Sequence, residues 1–153
     1  MSLGSLAIRT QTVKPVPLTP VRKRALVVDD SETILYAICS LLEHHEVVEV
    51  AGRAESGTQA VDAVLELKPD LVVMDADMPG MSGLRTALLL SQMAPGTEVV
   101  LMSMDTSPRF RAACAGCGAR AVIYKPRFLR ELSALLERPL RPSARAEAIE
   151  QPE

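Results

Sequence analysis

The chain has 153 residues, enough for one domain of ordinary size. It is 48% hydrophobic yet holds two Phe, two Tyr and no Trp, so its core must be built from aliphatic side chains. A net charge of −2 argues against generic nucleic-acid binding by this domain. No apolar run approaches the ~20 residues of a membrane span. The start lacks the apolar stretch of a signal peptide, which makes the cytoplasm the expected compartment. Three cysteines, Cys39, Cys114 and Cys117, do not form a secreted disulfide framework.

In chain order, residues 1–22 read as an N-terminal tail, since Pro15, Pro17 and Pro20 interrupt any helix or strand. An apolar run predicts a first strand over 25–28. Ser31 then caps a helix with Ile34, Leu35, Ile38, Leu41 and Leu42 at helical spacing. His44 and His45 fall at its exposed end. A second strand is expected over 47–51. Ser56-Gly57-Thr58-Gln59 has the form of a capping box, opening a helix with Ala60, Val61, Val64 and Leu65 on one face. The third strand covers 71–74, followed by a helix marked by Leu84, Ala87 and Leu88. The fourth covers 99–102, after which Ser107-Pro108 starts another helix. The fifth covers 121–124, and Phe128, Leu129, Leu132, Leu135 and Leu136 line a last helix. Residues 139–153, rich in Ala, Arg, Glu and Pro, read as a C-terminal tail or linker, leaving 23–138 as the globular domain.

This is a strand-helix unit five times over. The strands lack polar alternation, as expected of a doubly wound α/β fold with helices on both faces of a parallel sheet. Ligands in such sheets bind beyond the carboxyl ends of the strands. Asp29 and Asp30, Asp75, Ser103 and Lys125 all follow strands at that end, so four separate segments converge on one edge. Three carboxylates at strand ends suggest a cation site, and a cation site suggests phosphate chemistry.

Leu26-Val27-Val28-Asp29-Asp30, Asp75 with Met78-Pro79-Gly80 and Gly83, Ser103 after Val99-Val100-Leu101-Met102, Gly118-Ala119, and Lys125-Pro126 stand in an ordered set. Over 24–138 the chain resembles the receiver domain of two-component response regulators. The resemblance implies a flavodoxin-like five-stranded sheet in the order 2-1-3-4-5. It implies that Asp75 accepts a phosphoryl group from a histidine kinase or phosphotransfer protein. Asp29, Asp30, Asp75 and the Asp77 backbone carbonyl would hold Mg²⁺. Lys125 and Ser103 would stabilise the phosphoryl oxygens. In the absence of metal the clustered carboxylates repel, so at least one pKa should rise. The implied role is a signalling switch rather than an enzyme, with the fourth helix, fifth strand and fifth helix as a homodimer or effector surface.

Three departures bear on the switch. Val122 stands three residues before the lysine, where the family often has Phe or Tyr; Tyr124 is two residues on, the same strand face. Met104 follows Ser103 where a small residue is common, and its thioether is a candidate cover for the phosphorylation site. Asp77 and Asp105 occupy positions that tune phospho-aspartate hydrolysis in the family. A second resemblance links Asp75-Ala76-Asp77 to the Asp-x-Asp of aspartate-nucleophile phosphohydrolases. Against it, Pro79 replaces the Thr or Val of that motif, which lies on the first strand there. A third reading, a receiver-like scaffold that never uses its pocket, is opposed by the complete set of acids, Lys and Ser. Cys114-Ala115-Gly116-Cys117 spells C-x-x-C at a helix end, where no N-terminal dipole favours thiolate. Arg109, Arg111, Arg120, Arg127, Arg130 and Arg138 suggest a solvated basic face.

Overall fold

The computed structural model describes residues 21–138. The strands are β1 (Lys23–Val28), β2 (Val48–Ala54), β3 (Leu71–Asp75), β4 (Glu98–Ser103) and β5 (Ala121–Tyr124). The helices are α1 (Glu32–Glu43), α2 (Gly57–Leu67), α3 (Gly83–Met93), α4 (Pro108–Ala115) and α5 (Phe128–Leu136), the last preceded by a 3-10 turn at Lys125–Arg127. All strand pairs are parallel, in the order β2-β1-β3-β4-β5. Strand β2 runs on past the expected end at 51, because β1 keeps pairing with it: Leu26 with Gly52 and Val28 with Ala54.

The pleat divides the apolar strands between two cores. Ala25, Val27, Leu71, Val73, Val100, Met102 and Ile123 pack with α1 and α5 on one face. Leu26, Val28, Val72, Met74, Val99 and Leu101 pack with α2, α3 and α4 on the other. Period-2 alternation between two buried faces is why these strands read as unbroken apolar runs. No helix among the described residues is long and apolar enough to cross a membrane.

Helix starts follow their side-chain caps. Ser31, Ser56, Ser82 and Ser107 each accept a backbone N–H from three residues on. The capping box at Ser56 is half as expected. Ser56 Oγ accepts from Gln59 N, but Gln59 Oε1 accepts from the N–H of Glu55, one residue before the cap. Three leucines expected on buried faces, Leu65, Leu88 and Leu129, are exposed. Val64 and Ala87 take the core positions beside Leu65 and Leu88, and Phe128 packs against the first core beside Leu129; a residue one step away is turned by about 100° to solvent.

The expected tails lie outside the described residues, apart from Val21 and Arg22. The Arg22 guanidinium donates to the carbonyls of His45 (2.8 Å) and Val48. His44 is the exposed C-terminal cap of α1, as its sequence position suggests. Cys114 and Cys117 are buried in the second core, where the Cys117 thiol donates to the Cys114 carbonyl at 3.0 Å. Burial pushes the Cys114 thiol pKa up, so the C-x-x-C pair behaves as packing. Arg120 does not join a solvated basic face. Its guanidinium pairs at 2.5 Å with Glu98, a buried carboxylate at the start of β4.

Candidate functional site

The parallel register brings the polar residues together. Val28 of β1 pairs with Met74 of β3, so Asp29 and Asp75, each one residue later, leave the sheet side by side. Asp75 pairs with Met102 of β4 and Ser103 with Tyr124 of β5, which sets Ser103 and Lys125 at the same edge. The strand ends thus place Asp29, Asp75 and Ser103 without any loop having to be long.

The loop after Asp75 is held tightly. Met78 is buried in the second core, while Pro79 and Gly80 turn in solvent, Gly80 with φ 78°. Ala76 N donates to Met102 O at 2.8 Å, and Gly83 N donates to Ala76 O at 3.0 Å. A Cβ on Gly83 would lie 2.2 Å from the Asp75 carbonyl oxygen, so α3 begins this close to the strand end only because residue 83 has no side chain.

Asp75 is 2% exposed and Asp29 fully buried. Lys125 Nζ lies 3.0 Å from Asp75 Oδ2 and 3.6 Å from Asp29 Oδ2. Asp75 Oδ1 accepts the Asp77 N–H at 3.0 Å, and Asp29 Oδ1 accepts the Ser31 N–H at 2.8 Å. Asp29 Oδ2 is buried with no hydrogen-bond partner. Asp30 is exposed, and one carboxylate oxygen from each of Asp29, Asp30 and Asp75 lies within 4.8 Å of the others. An all-oxygen donor set with one orphaned buried oxygen fits a hard divalent cation such as Mg²⁺.

The electrostatics follow the crowding. Burial raises the Asp29 pKa above its ordinary value, and the charges of Asp75 and Asp30 add to this; the Ser31 amide and Lys125 oppose it. The expected rise in at least one carboxyl is therefore present at Asp29, with desolvation as the larger cause. Burial pulls the Lys125 pKa down, but its hydrogen bond to Asp75 and the charges of Asp29 and Asp75 outweigh this and hold it above the ordinary lysine value.

Ser103 is fully buried. Its Oγ accepts the Asp105 N–H at 3.0 Å and donates to Asp77 Oδ2 at 3.4 Å. This bond is not legible in the sequence, which places Asp77 and Ser103 on different segments. Asp105 is exposed, and its carboxylate accepts the Ser107 N–H, which lowers its pKa. Met104 is 61% exposed. Val122 and Tyr124 line an open pocket of about 600 Å³ with Asp105, Arg111, Arg127 and Glu131. Glu131 Oε2 accepts the Tyr124 N–H at 3.1 Å, and the Arg127 guanidinium lies 5.9 Å from the centre of the Tyr124 ring.

Comparison with known proteins agrees with this geometry. Residues 25–137 match the family model described as the response regulator receiver domain. A protein-glutamate methylesterase/protein-glutamine glutaminase of Alkalilimnicola ehrlichii is 36% identical over 114 residues, which is 74% of this chain and 29% of that protein. Response regulator GacA of Pseudomonas viridiflava is 33% identical over 71% of this chain and 51% of its own length. The chain thus spans from under a third to about half of these relatives. The response regulator domain of Thermotoga maritima CheB superposes with a TM-score of 0.68 at 30% identity, covering 76% of this chain and 92% of that one. The chain belongs to the receiver domains of two-component response regulators.

Proposed function

We propose that Asp75 accepts a phosphoryl group from a phosphohistidine on a sensor histidine kinase or phosphotransfer protein. An Asp75 carboxylate oxygen attacks phosphorus, the P–N bond breaks, and the imidazole leaves with that electron pair and takes up a proton. The supporting observation is the Lys125 ammonium, 3.0 Å from Asp75 Oδ2 within the acidic cluster. It pairs with Asp75 before transfer and with a phosphoryl oxygen afterwards. Ser103 offers a hydroxyl to a second phosphoryl oxygen. Asp29, Asp30, Asp75 and the Asp77 backbone carbonyl would hold Mg²⁺, which when bound offsets the negative charge between carboxylate and phosphoryl group.

On this reading the segment is a switch that is loaded once, not a catalyst that turns over. Its relatives carry different names, so only the phospho-accepting step is assigned to it. The face made by α4, β5 and α5 is the proposed partner or homodimer surface. Asp105 and Glu131 beside Arg111 and Arg127 give that face both signs of charge, which suits a self-complementary two-fold contact. Mass measurement after acetyl phosphate and Mg²⁺, with Asp75→Asn as control, tests the proposal. One phosphate on the wild type and none on the variant is expected. An unlabelled wild type refutes it, and steady release of phosphate without a labelled protein points instead to a phosphohydrolase.

A further inference from the structure

The open pocket lined by Val122 and Tyr124 holds polar groups that the phosphoryl site does not use. Its volume of about 600 Å³ is that of a small-ligand site. Arg111 of α4 and Arg127 of the turn after β5 both line it, and neither guanidinium makes an ion pair among the described residues. The Tyr124 hydroxyl makes no hydrogen bond among them either. The two carboxylates of the pocket are already engaged with their own backbone. Asp105 Oδ1 accepts the Ser107 N–H at 2.7 Å, and Glu131 Oε2 accepts the Tyr124 N–H at 3.1 Å. The donors are therefore unused and the acceptors partly spent. Residues 105–138 carry seven Arg or Lys against three Asp or Glu, whereas 21–104 carry six against thirteen. The pocket thus opens in the basic part of a bipolar domain, where the field draws anions in.

We infer that this pocket is a second ligand site, for a small dianion of the phosphomonoester or dicarboxylate kind, held by Arg111, Arg127 and the Tyr124 hydroxyl. The site goes beyond phosphoryl transfer and does not rest on it. A guanidinium is a planar fork that meets carboxylate or phosphate oxygens two at a time. Two forks and a hydroxyl suit a group with several acceptor oxygens and two charges, whereas a monoanion leaves one guanidinium uncompensated. Arg127 lies over the Tyr124 ring, 5.9 Å from its centre, which keeps it beside the pocket before a ligand arrives. Val122 leaves the room, since a larger side chain there would take up part of the space. Both arginines are exposed, so water weakens each contact, and a dissociation constant of about 1 mM is expected. Arg111 belongs to α4 and Arg127 to the turn that begins with Lys125, so a bound dianion ties these two elements together.

The test is a titration of the full chain followed by the backbone amide NMR signals of Thr106, Val122 and Tyr124, in EDTA and at constant ionic strength. The probes are glycerol 3-phosphate, succinate and, as a monoanion, acetate. Saturable shifts with at least one dianion are expected, and which of the two binds tells phosphate from dicarboxylate. Acetate should bind about tenfold more weakly, and Arg111→Ala and Arg127→Ala should each weaken dianion binding by about tenfold. Arg109→Ala, on the same helix but outside the pocket, should change it by less than about twofold. Val122→Phe should also weaken binding, with the amide signals away from the pocket showing that the variant is folded. The inference is overturned if neither dianion gives saturable shifts up to ~20 mM, or if acetate binds as well as the dianions. It is overturned equally if Arg109→Ala weakens binding as much as Arg111→Ala, which leaves only diffuse attraction by a basic surface. Shifts confined to the amides around Asp75 would place the anion at the phosphoryl site and would refute it too.

Discussion

Replacing Lys125 by Met should destabilise the metal-free protein, and the structure sets the size of the effect. Lys125 is the one cation in ion-pair contact with Asp29 and Asp75 among the described residues. Without it, two carboxylates that are 0% and 2% exposed face each other with oxygens within 4.8 Å. At an effective dielectric of about 20, two such charges repel by about 3.5 kcal/mol. The protein can instead protonate one carboxyl. Against an ordinary Asp pKa of 3.8, that costs about 4 kcal/mol at neutral pH, so protonation caps the penalty at a similar figure. Lys125 is 22% exposed, so water entering its place softens the repulsion. A loss of about 2–4 kcal/mol remains, in line with breaking a buried ion pair from one side.

Urea unfolding and thermal melts in EDTA, wild type against Lys125→Met, measure this directly. The melting temperature should fall by on the order of 10 °C. Adding Asp29→Asn to Lys125→Met should recover most of the loss, since one of the facing charges is then gone. Mg²⁺ should stabilise Lys125→Met more than wild type, because it replaces the missing cation. A loss below about 0.5 kcal/mol, or a double variant as unstable as Lys125→Met, would show that the acidic cluster is screened by something other than Lys125.

Other consequences follow from neighbouring contacts. Gly83→Ala forces a Cβ to within 2.2 Å of the Asp75 carbonyl oxygen and 2.7 Å of Ala76 Cα, both backbone atoms; a loss of about 3 kcal/mol and slower Asp75 labelling are expected from thermal melts and intact mass. Ser56→Ala removes the side-chain cap of α2, whose hydroxyl accepts the Gln59 N–H, and should cost about 1 kcal/mol with unchanged labelling. In EDTA, the raised Asp29 pKa means the folded state binds more protons than the unfolded chain, so its contribution lowers stability as pH rises through the interval starting at 3.8. Asp29→Asn should therefore make the melting temperature fall less, or rise more, between about pH 4 and about pH 7; an identical slope would contradict the assignment. Lys125, with its pKa raised above 10.5, contributes stability that is complete below 10.5 and lost as pH rises through its folded value.

How legible a residue is in the sequence depends on how the fold holds it. Asp29, Asp75 and Ser103 are readable because a strand delivers them: once Val28, Met74 and Met102 are recognised as buried, parallel pairing decides which residues emerge together. Lys125 is readable for the same reason, one residue beyond β5. Which apolar residue of a helix meets the sheet is less legible, because it is a matter of rotation and not of composition. Val64 and Leu65 are both apolar, and only the way α2 is turned on the sheet buries the valine and exposes the leucine.

The contacts between loops are not legible at all. Asp77 lies two residues past the end of β3 and Asp105 two past the end of β4, so each is free of strand register. Their meeting at Ser103 depends on loop shape: Met78 buried on one side, and an Asp105–Ser107 turn on the other. The same division holds at β5. Register fixes Tyr124 beside Ser103, whereas the carboxylate that Glu131 supplies to the Tyr124 N–H comes from a turn of α5. The β4–β5 pair thus runs from the edge that holds Ser103 to the face lined by Val122, Tyr124, Arg127 and Glu131.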